Sequence, residues 1–480
     1  MGFVNILKEK LNKFFPIVFV FFCFVLIFTR TPFFDEAHAY LLSKFSLNEL
    51  WQITRIEGHP LIWFLILKTI NWLNFYPYSI LFLTWVISSI LIIFFWKKAP
   101  FLSFIKILIL LSFPFLGYFL IVARPYGLTV LLLFLTTHYF KKQKLILFSL
   151  FLTFLANITI MGAIGASSFL VLFVKKIIQE KINKKNLIIS ILIILFGFLF
   201  LFLQLYNPQI PDKINEISES VKNGLIYYFV FPFKDFSLKT IYQNVFQIFS
   251  FVLFYLSLII FFKKDKNSFF FLIFSFLFLT LLFLNIYSGA CWHYFFYFIF
   301  FIVSLWISWE KIREIKFYKY FVILFLFLTI NPIFYLENGI DVIKETKKYK
   351  PILLKIINDK EYKNSKLFCF EKYSYLAPAL IPYLEKKNIY LYDINGYKRG
   401  SFDSYIQTYL KKEKGSKIDS FVLNLQKDAS NYLFVNNLSN LNIPSIIVLE
   451  GKQYKILLKL VDKIEECIFA VYKIEVQRID

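Results

Sequence analysis

Charged residues are scarce in this chain, 18% of 480, while 58% of its side chains are hydrophobic. A water-soluble globule cannot bury that proportion of apolar surface, so an ordinary soluble enzyme is excluded. Nucleotide and metal signatures are missing too: the sequence has no GxGxxG, no P-loop, no HExxH, no DxD and no paired-cysteine motif. No repeat of solenoid period stands out, and the Phe, Ile and Lys bias runs through the chain rather than marking a low-complexity tract. Cysteine is limited to four residues. Cys23 and Cys291 lie in or beside apolar runs, where a buried thiol behaves as a small hydrophobe. Cys369 and Cys467 fall in the C-terminal tail, and a bridge between them would need an oxidising compartment; spacing alone does not establish it.

What the chain has in abundance is apolar and aromatic: 65 Phe, 30 Tyr and 8 Trp, with a mean hydropathy of +0.63. Runs such as FFPIVFVFFCFVLIF and FFFLIFSFLFLTLLFL are long and apolar enough to cross a hydrocarbon core of roughly 30 Å as helices. Lys8, Lys10 and Lys13 precede the first run as in a signal peptide. The following FTRTPFFDE offers no small-residue cleavage site, which predicts an uncleaved anchor with its N-terminus inside.

Apolar runs begin near residues 14, 61, 79, 101, 125, 145, 161, 187, 242, 268, 290 and 318. The net charge of +23, from 54 Lys+Arg and 31 Asp+Glu, concentrates in the short loops between them. The clusters at Lys97–Lys98, Lys141–Lys144, Lys175–Lys185, Lys263–Lys266 and Lys311–Lys319 all become cytoplasmic, with the N-terminus inside, only if the run Leu61–Phe75 does not cross. That run carries Lys68, Asn71 and Asn74 and ends in YPY, which suits an interfacial helix. The expected fold is therefore a polytopic α-helical membrane protein of about eleven transmembrane helices, N-terminus in and C-terminus out. The lysines then answer to topology, and no nucleic acid is needed to explain them. After residue 338 the composition turns to Lys, Asn, Tyr and Asp around β-type runs such as KLFCF, IYLYDI, NYLFV and PSIIVLE. This predicts two domains, a membrane domain over 1–338 with a first outer loop at about 30–78, and a soluble extracytoplasmic α/β domain over 339–480.

Ionisable residues at or in a membrane are expensive to keep, so their clustering is the most informative functional signal. The first outer loop holds most of them. Pro32 can start a helix that carries Asp35, Glu36 and His38 within one turn, with Asp35 and His38 sharing a face. Further on, Glu57, Gly58 and His59 precede Pro60, so a new helix would present free backbone amides suited to a phosphate. On the predicted outer face also lie Arg124 in ARPYG, beside Tyr126, the loop Asn207–Tyr242, and His293 in CWHYFFY. Arg124 and the histidines are candidates for binding an anionic group, and Arg30, Arg55 and Lys68 are further ones; ordinary alternatives are headgroup snorkelling for Arg124 and an aromatic-belt place for His293. His138 lies near a cytoplasmic helix end and carries no expected role. Clustered Asp, Glu and His could also hold a divalent metal, but their spacing is unspecific.

FFDEAHAYLL, EGHPLIWFLILK, ARPYGLTVLLLF and a late WHYFFYF together resemble the GT-C membrane glycosyltransferases, above all the branch of protein O-mannosyltransferases and of the transferases that add aminoarabinose to lipid A. Bacterial relatives show a DE pair and then an EGHPP-like segment opening a juxtamembrane helix; here Leu61 replaces the second proline. The likeness in architecture covers roughly residues 14–336, with motif support concentrated in 30–70. It implies an inverting transfer of a sugar from a polyprenyl-phosphate carrier to a glycan, lipid or protein acceptor, at the outer face of a bacterial inner (plasma) membrane, generally without a catalytic metal or other cofactor. Asp35 matches the family's catalytic base, with Glu36 placing the acceptor or tuning it. Arg124, His59 and His293, with Tyr126, His38, Glu57, Lys68 and Arg55 nearby in sequence or on the same predicted face, are the candidates for substrate and donor phosphate. From another class comes a transporter or flippase of lipid-linked sugars, with Asp35, Arg124 and His293 along its path, and last a non-catalytic scaffold for the soluble domain.

Overall fold

The computed structural model describes residues 2–32, 34–57, 59–179, 182–206, 243–285, 291–313, 354, 356–369, 377–392, 421–422, 425, 430–436, 446–450, 454–464 and 469–478. The loop Asn207–Tyr242, the run near residue 318, most of NIYSGA before Cys291, and Cys467 lie outside them, as does the Cys369 side chain.

The chain is mostly helical. It opens with α1 (Gly2–Phe28), α2 (Phe34–Leu42), α3 (Leu47–Glu57), α4 (Ile62–Asn71) and α5 (Tyr78–Lys98). There follow α6 (Ser103–Leu111), a π-helical turn (Pro114–Phe119), α7 (Tyr126–Lys141), α8 (Leu145–Ala156), α9 (Ile160–Gln179) and α10 (Lys184–Leu205). The described part of the bundle ends with α11 (Gln243–Lys264), α12 (Lys266–Asn285) and α13 (Cys291–Arg313). Among the described residues five helices are long and apolar enough to cross a membrane, within α5, α9, α10, α12 and α13. Leu192, Leu195, Phe196 and Leu199 of α10 are each more than half exposed. Such a face is stable in hydrocarbon and not in water, so the helices build a membrane-embedded protein. The run from Leu61 gives only the ten residues of α4, about 15 Å of helix, half of a hydrocarbon core.

The run near residue 101 does not form one helix. Pro114 has no N–H to continue α6, and the ladder resumes as a π turn in which the Leu120 N–H reaches Phe115 O (2.8 Å). The whole turn is buried. Gly127 lies against it: a Cβ there would sit 2.3 Å from Phe119 O, so only glycine allows this approach.

Backbone contacts separate the chain into two compact units, one of Met1–Phe28, Trp51–Trp63 and Phe82–Asp341, the other of Thr29–Leu50, Phe64–Leu81 and Val342–Asp480. In the first, the lysine clusters gather at one end. Trp96 Nε1 donates to Asn12 O (2.8 Å), Phe94 meets His138 (5.7 Å), and Lys141 Nζ donates to Trp306 O (3.2 Å). Lys175 reaches Asn267 Oδ1 (2.8 Å) and Lys311 reaches Asp265 Oδ1 (3.2 Å). At the opposite helix ends, buried Gln204 donates to Asn157 Oδ1 (2.8 Å) and accepts the Leu61 N–H (2.6 Å), which ties the segment after EGHP to α8 and α10.

The second unit contains a six-stranded mixed sheet, β1 (Lys366–Cys369), β2 (Leu391–Tyr392), β3 (Asn431–Asn436), β4 (Ile446–Glu450), β5 (Tyr454–Ile464) and β6 (Phe469–Arg478), in the order β2-β1-β3-β6-β5-β4. Strand β1 runs parallel to β2 and β3; the other pairings are antiparallel. Adjacent residues point to opposite faces, so Leu367, Tyr432 and Val471 build one core and Phe368, Leu433 and Tyr472 another. The first core also takes in Leu41 of α2, with Ile381 and Leu384 of α15 (Ala377–Glu385), the helix after the short α14 (Lys360–Lys363). Residues of the first loop therefore share a hydrophobic core with the C-terminal sheet, which confers part of the roughly 25 cal/mol per Å² of apolar burial on α2.

Candidate functional site

Asp35 and Glu36 occupy the first turn of α2, where negative charge is favoured by the helix dipole. They have different surroundings. Glu36 is fully buried, and Arg30 donates to both of its carboxylate oxygens (Nη2 to Oε1 2.5 Å, Nη1 to Oε2 2.6 Å), with both side chains wholly inaccessible. Asp35 and His38 are half-buried on the same helix, three residues apart. Of the two carboxylates Asp35 is the more accessible, while Glu36 is held as an internal anchor.

The C-terminal end of α2 is fastened by α4. Lys68 Nζ donates to Phe45 O (2.5 Å) and Ser43 O (3.5 Å), and Asn71 Nδ2 donates to Tyr40 O (3.3 Å) and to Ser43 Oγ. Carbonyls past a helix end lack intrahelical partners, and a cation there is doubly favoured. Lys68 serves the backbone of this unit. On the other side α15 contributes the Lys44–Glu385 pair (2.8 Å). Tyr76 packs between Tyr40 (4.4 Å) and Tyr383 (5.2 Å), and its carbonyl accepts from Lys386 Nζ (2.7 Å). Burial pushes the Tyr76 hydroxyl well above the ordinary tyrosine range, and Tyr383 and Glu36 add to the rise. Burial followed by the Glu385 charge lifts Tyr40 to about 12. Both phenols stay neutral at physiological pH, so the charge of Glu36 is balanced by Arg30.

In the helical unit a second group assembles. Arg124 and Pro125 end the buried turn after the π helix, and Tyr126 opens α7. The Tyr126 hydroxyl meets His293 Nε2 of α13 at 2.9 Å, and the Arg124 guanidinium lies 5.7 Å from the Tyr126 ring centroid. His59 and Arg124 both stand near enough to His293 to act on its charge. Four sequence-predicted residues from three distant segments, His59, Arg124, Tyr126 and His293, thus share one neighbourhood. Its place is the end of the bundle where α7 and α13 begin, away from the lysines where they finish. Chemically it combines a fixed cation, two imidazoles and a phenol, a set that suits a phosphate oxyanion.

Arg55 has a different setting, with its guanidinium 5.6 Å from the ring of Trp51, which itself meets Phe200 of α10 at 5.9 Å. Glu57 closes α3, and its side chain lies outside the described residues. Among the described residues no group of three or more His, Cys, Asp or Glu is arranged to hold a metal ion. The sequence reading passed over Asn157 and Gln204, the buried amides that hold the backbone at Leu61. Their signal was available: polar side chains inside apolar runs persist where they pair.

Comparison with protein-family models, with curated proteins and with solved structures gives no match to this chain.

Proposed function

We propose that this protein is an inverting glycosyltransferase that moves a sugar from a polyprenyl-phosphate carrier to an acceptor at the outer face of a membrane. The observation that carries the reading is the meeting of His59, Arg124, Tyr126 and His293. These come from three of the four segments on which the resemblance to GT-C enzymes rests, and a shared donor phosphate needs them to be neighbours. In the proposed chemistry Asp35 takes the proton of the acceptor hydroxyl as its oxygen attacks C1 from the face opposite the phosphate. The C1–O bond to the carrier breaks with its electron pair, and the carrier leaves as a phosphate monoester. That group departs without a general acid, so one carboxylate base suffices. Arg124, His59 and His293 are assigned to the departing charge, Arg124 as the fixed cation and the two imidazoles as hydrogen-bond partners.

The test is transfer from labelled polyprenyl-phosphate sugars by membranes containing the chain, with native acceptors supplied by the membrane, beside Asp35→Asn at matched protein level. The flippase alternative would favour a site near the bilayer midplane on broken helices. The His59–Arg124–Tyr126–His293 group instead stands at helix starts, which favours chemistry at a surface.

The proposed topology has about eleven spans, N-terminus inside and C-terminus outside. It rests on the lysine clusters sharing one end of the bundle. Reporter fusions after Lys98 are expected to read inside and fusions at the C-terminus outside; a C-terminus inside would overturn it. We further propose that turnover needs no metal, so activity in excess chelator is expected to equal the untreated rate. Loss of turnover restored by Mn²⁺ or Mg²⁺ would replace this with a metal-assisted mechanism.

A further inference from the structure

At the lysine-rich end of the helical unit, away from His59 and His293, the helices form a half-open cavity of about 340 Å³ lined by residues of α7 and the turn after it, of α9 and α13, and of the turn between α11 and α12 with the start of α12. Its lining includes four lysines, Lys141, Lys175, Lys176 and Lys311, against two carboxylates, Asp265 and Glu310. The carboxylates are spoken for. Asp265 is only 4% exposed; it accepts from Ser268 Oγ (3.1 Å) and the Asn267 N–H (3.3 Å) and pairs with Lys311 (3.2 Å). Glu310 pairs with Lys141 at 3.4 Å. Lys175 donates to the Asn267 amide oxygen (2.8 Å) and lies over the face of Phe270 (5.1 Å), and Asp265, which it shares with Lys311, stands near enough to act on its charge. Aromatic faces and amide oxygens orient an ammonium without cancelling its charge.

A positive cavity at helix ends could serve topology alone, yet lysines that only set orientation need no shared concavity and no fixed rotamers. The volume lies within the range of small-molecule sites. Flanking Lys175 on α9, Val174 and Ile178 are 49% and 79% exposed, so lipid-facing surface adjoins the cavity. Basic pockets between transmembrane helices on the positive side suit anionic headgroups. We propose that this cavity binds the phosphate of an anionic phospholipid headgroup, with the acyl chains running along Val174 and Ile178. The inference stands independently of the transferase reading.

The test uses the full chain in detergent, titrated with phosphatidylglycerol, phosphatidylcholine or glycerol 1-phosphate and read by ligand-induced thermal shift. Phosphatidylglycerol is expected to bind, and Lys175→Gln combined with Lys176→Gln to weaken it roughly thirtyfold, about fivefold per lysine. Lys97→Gln with Lys98→Gln, at the same end but outside the lining, is expected to leave binding unchanged, and Lys175→Arg to preserve it. Equal affinity for phosphatidylcholine, or equal weakening by the Lys97/Lys98 variant, overturns the site. Glycerol 1-phosphate binding as tightly as the lipid, with the same sensitivity to Lys175 and Lys176, supports the phosphate site and overturns the lipid as its occupant. Should the double variant fail to fold, Lys176→Gln alone provides the reading, at about fivefold.

Discussion

Asp35→Asn is expected to lower sugar transfer by about 10²–10⁴-fold, the contribution of a positioned general base, while the protein accumulates and melts nearly as wild type. The substitution is isosteric. It removes the only function the mechanism asks of this group, acceptance of a proton, because an amide oxygen does not take one at neutral pH. The amide keeps the shape and hydrogen-bonding capacity of the side chain, and the share of a first-turn carboxylate of α2 that comes from the helix dipole is about 0.3–1 kcal/mol. Activity and stability therefore separate in this variant, and the separation is the diagnostic. Transfer by Asp35→Asn equal to wild type would remove Asp35 from the mechanism. Wild-type membranes that transfer from no donor, yet move a fluorescent polyprenyl-phosphate sugar between leaflets, would favour the transporter instead.

Much of the helical unit was legible in the sequence because length and apolarity decide what can live in a bilayer. The apolar runs beginning near 14, 61, 79, 125, 145, 161, 187, 242, 268 and 290 each fall on a helix, and the polar Lys68 and Asn71 that set the run from Leu61 apart hold the end of α2. The break near Pro114 was less visible, since its surroundings are apolar throughout and only the missing donor of proline betrays it. In the C-terminal sheet the short runs KLFCF, IYLYDI, NYLFV and PSIIVLE announced β1 to β4. The two longest strands were masked by their lysines and, in β5, by a register shift between Leu460 and Asp462 that breaks the period of two. At the site, residue types were readable and partnerships were not. Nothing in the spacing says that Arg30, six residues before Glu36, turns back across Pro32 to meet it, or that Tyr126 finds His293 across 167 positions. Such pairings are decided by how helices pack.

Glu36→Gln and Arg30→Met are each expected to destabilise the protein strongly, by about 3–5 kcal/mol, because each leaves the partner's charge buried without its counterion. Glu36 and Arg30 have no access to water that could replace the lost partner. Neither Tyr76 nor Tyr383 can substitute, since burial drives both hydroxyls well above the ordinary range and keeps them neutral. The double variant Arg30→Met with Glu36→Leu removes both charges and fills the space with apolar side chains, so it is expected to be more stable than either single variant. Thermal melting in detergent should then rank wild type and the double variant above both singles. Single variants that melt with the wild type would show that the pair does not anchor α2. The ranking also decides what Glu36 does for catalysis. If Glu36 acts only by holding the helix that carries Asp35, transfer by Glu36→Gln falls in step with the fraction folded, and the double variant recovers transfer along with stability. If Glu36 takes part in the chemistry, the double variant melts like the wild type and still transfers nothing.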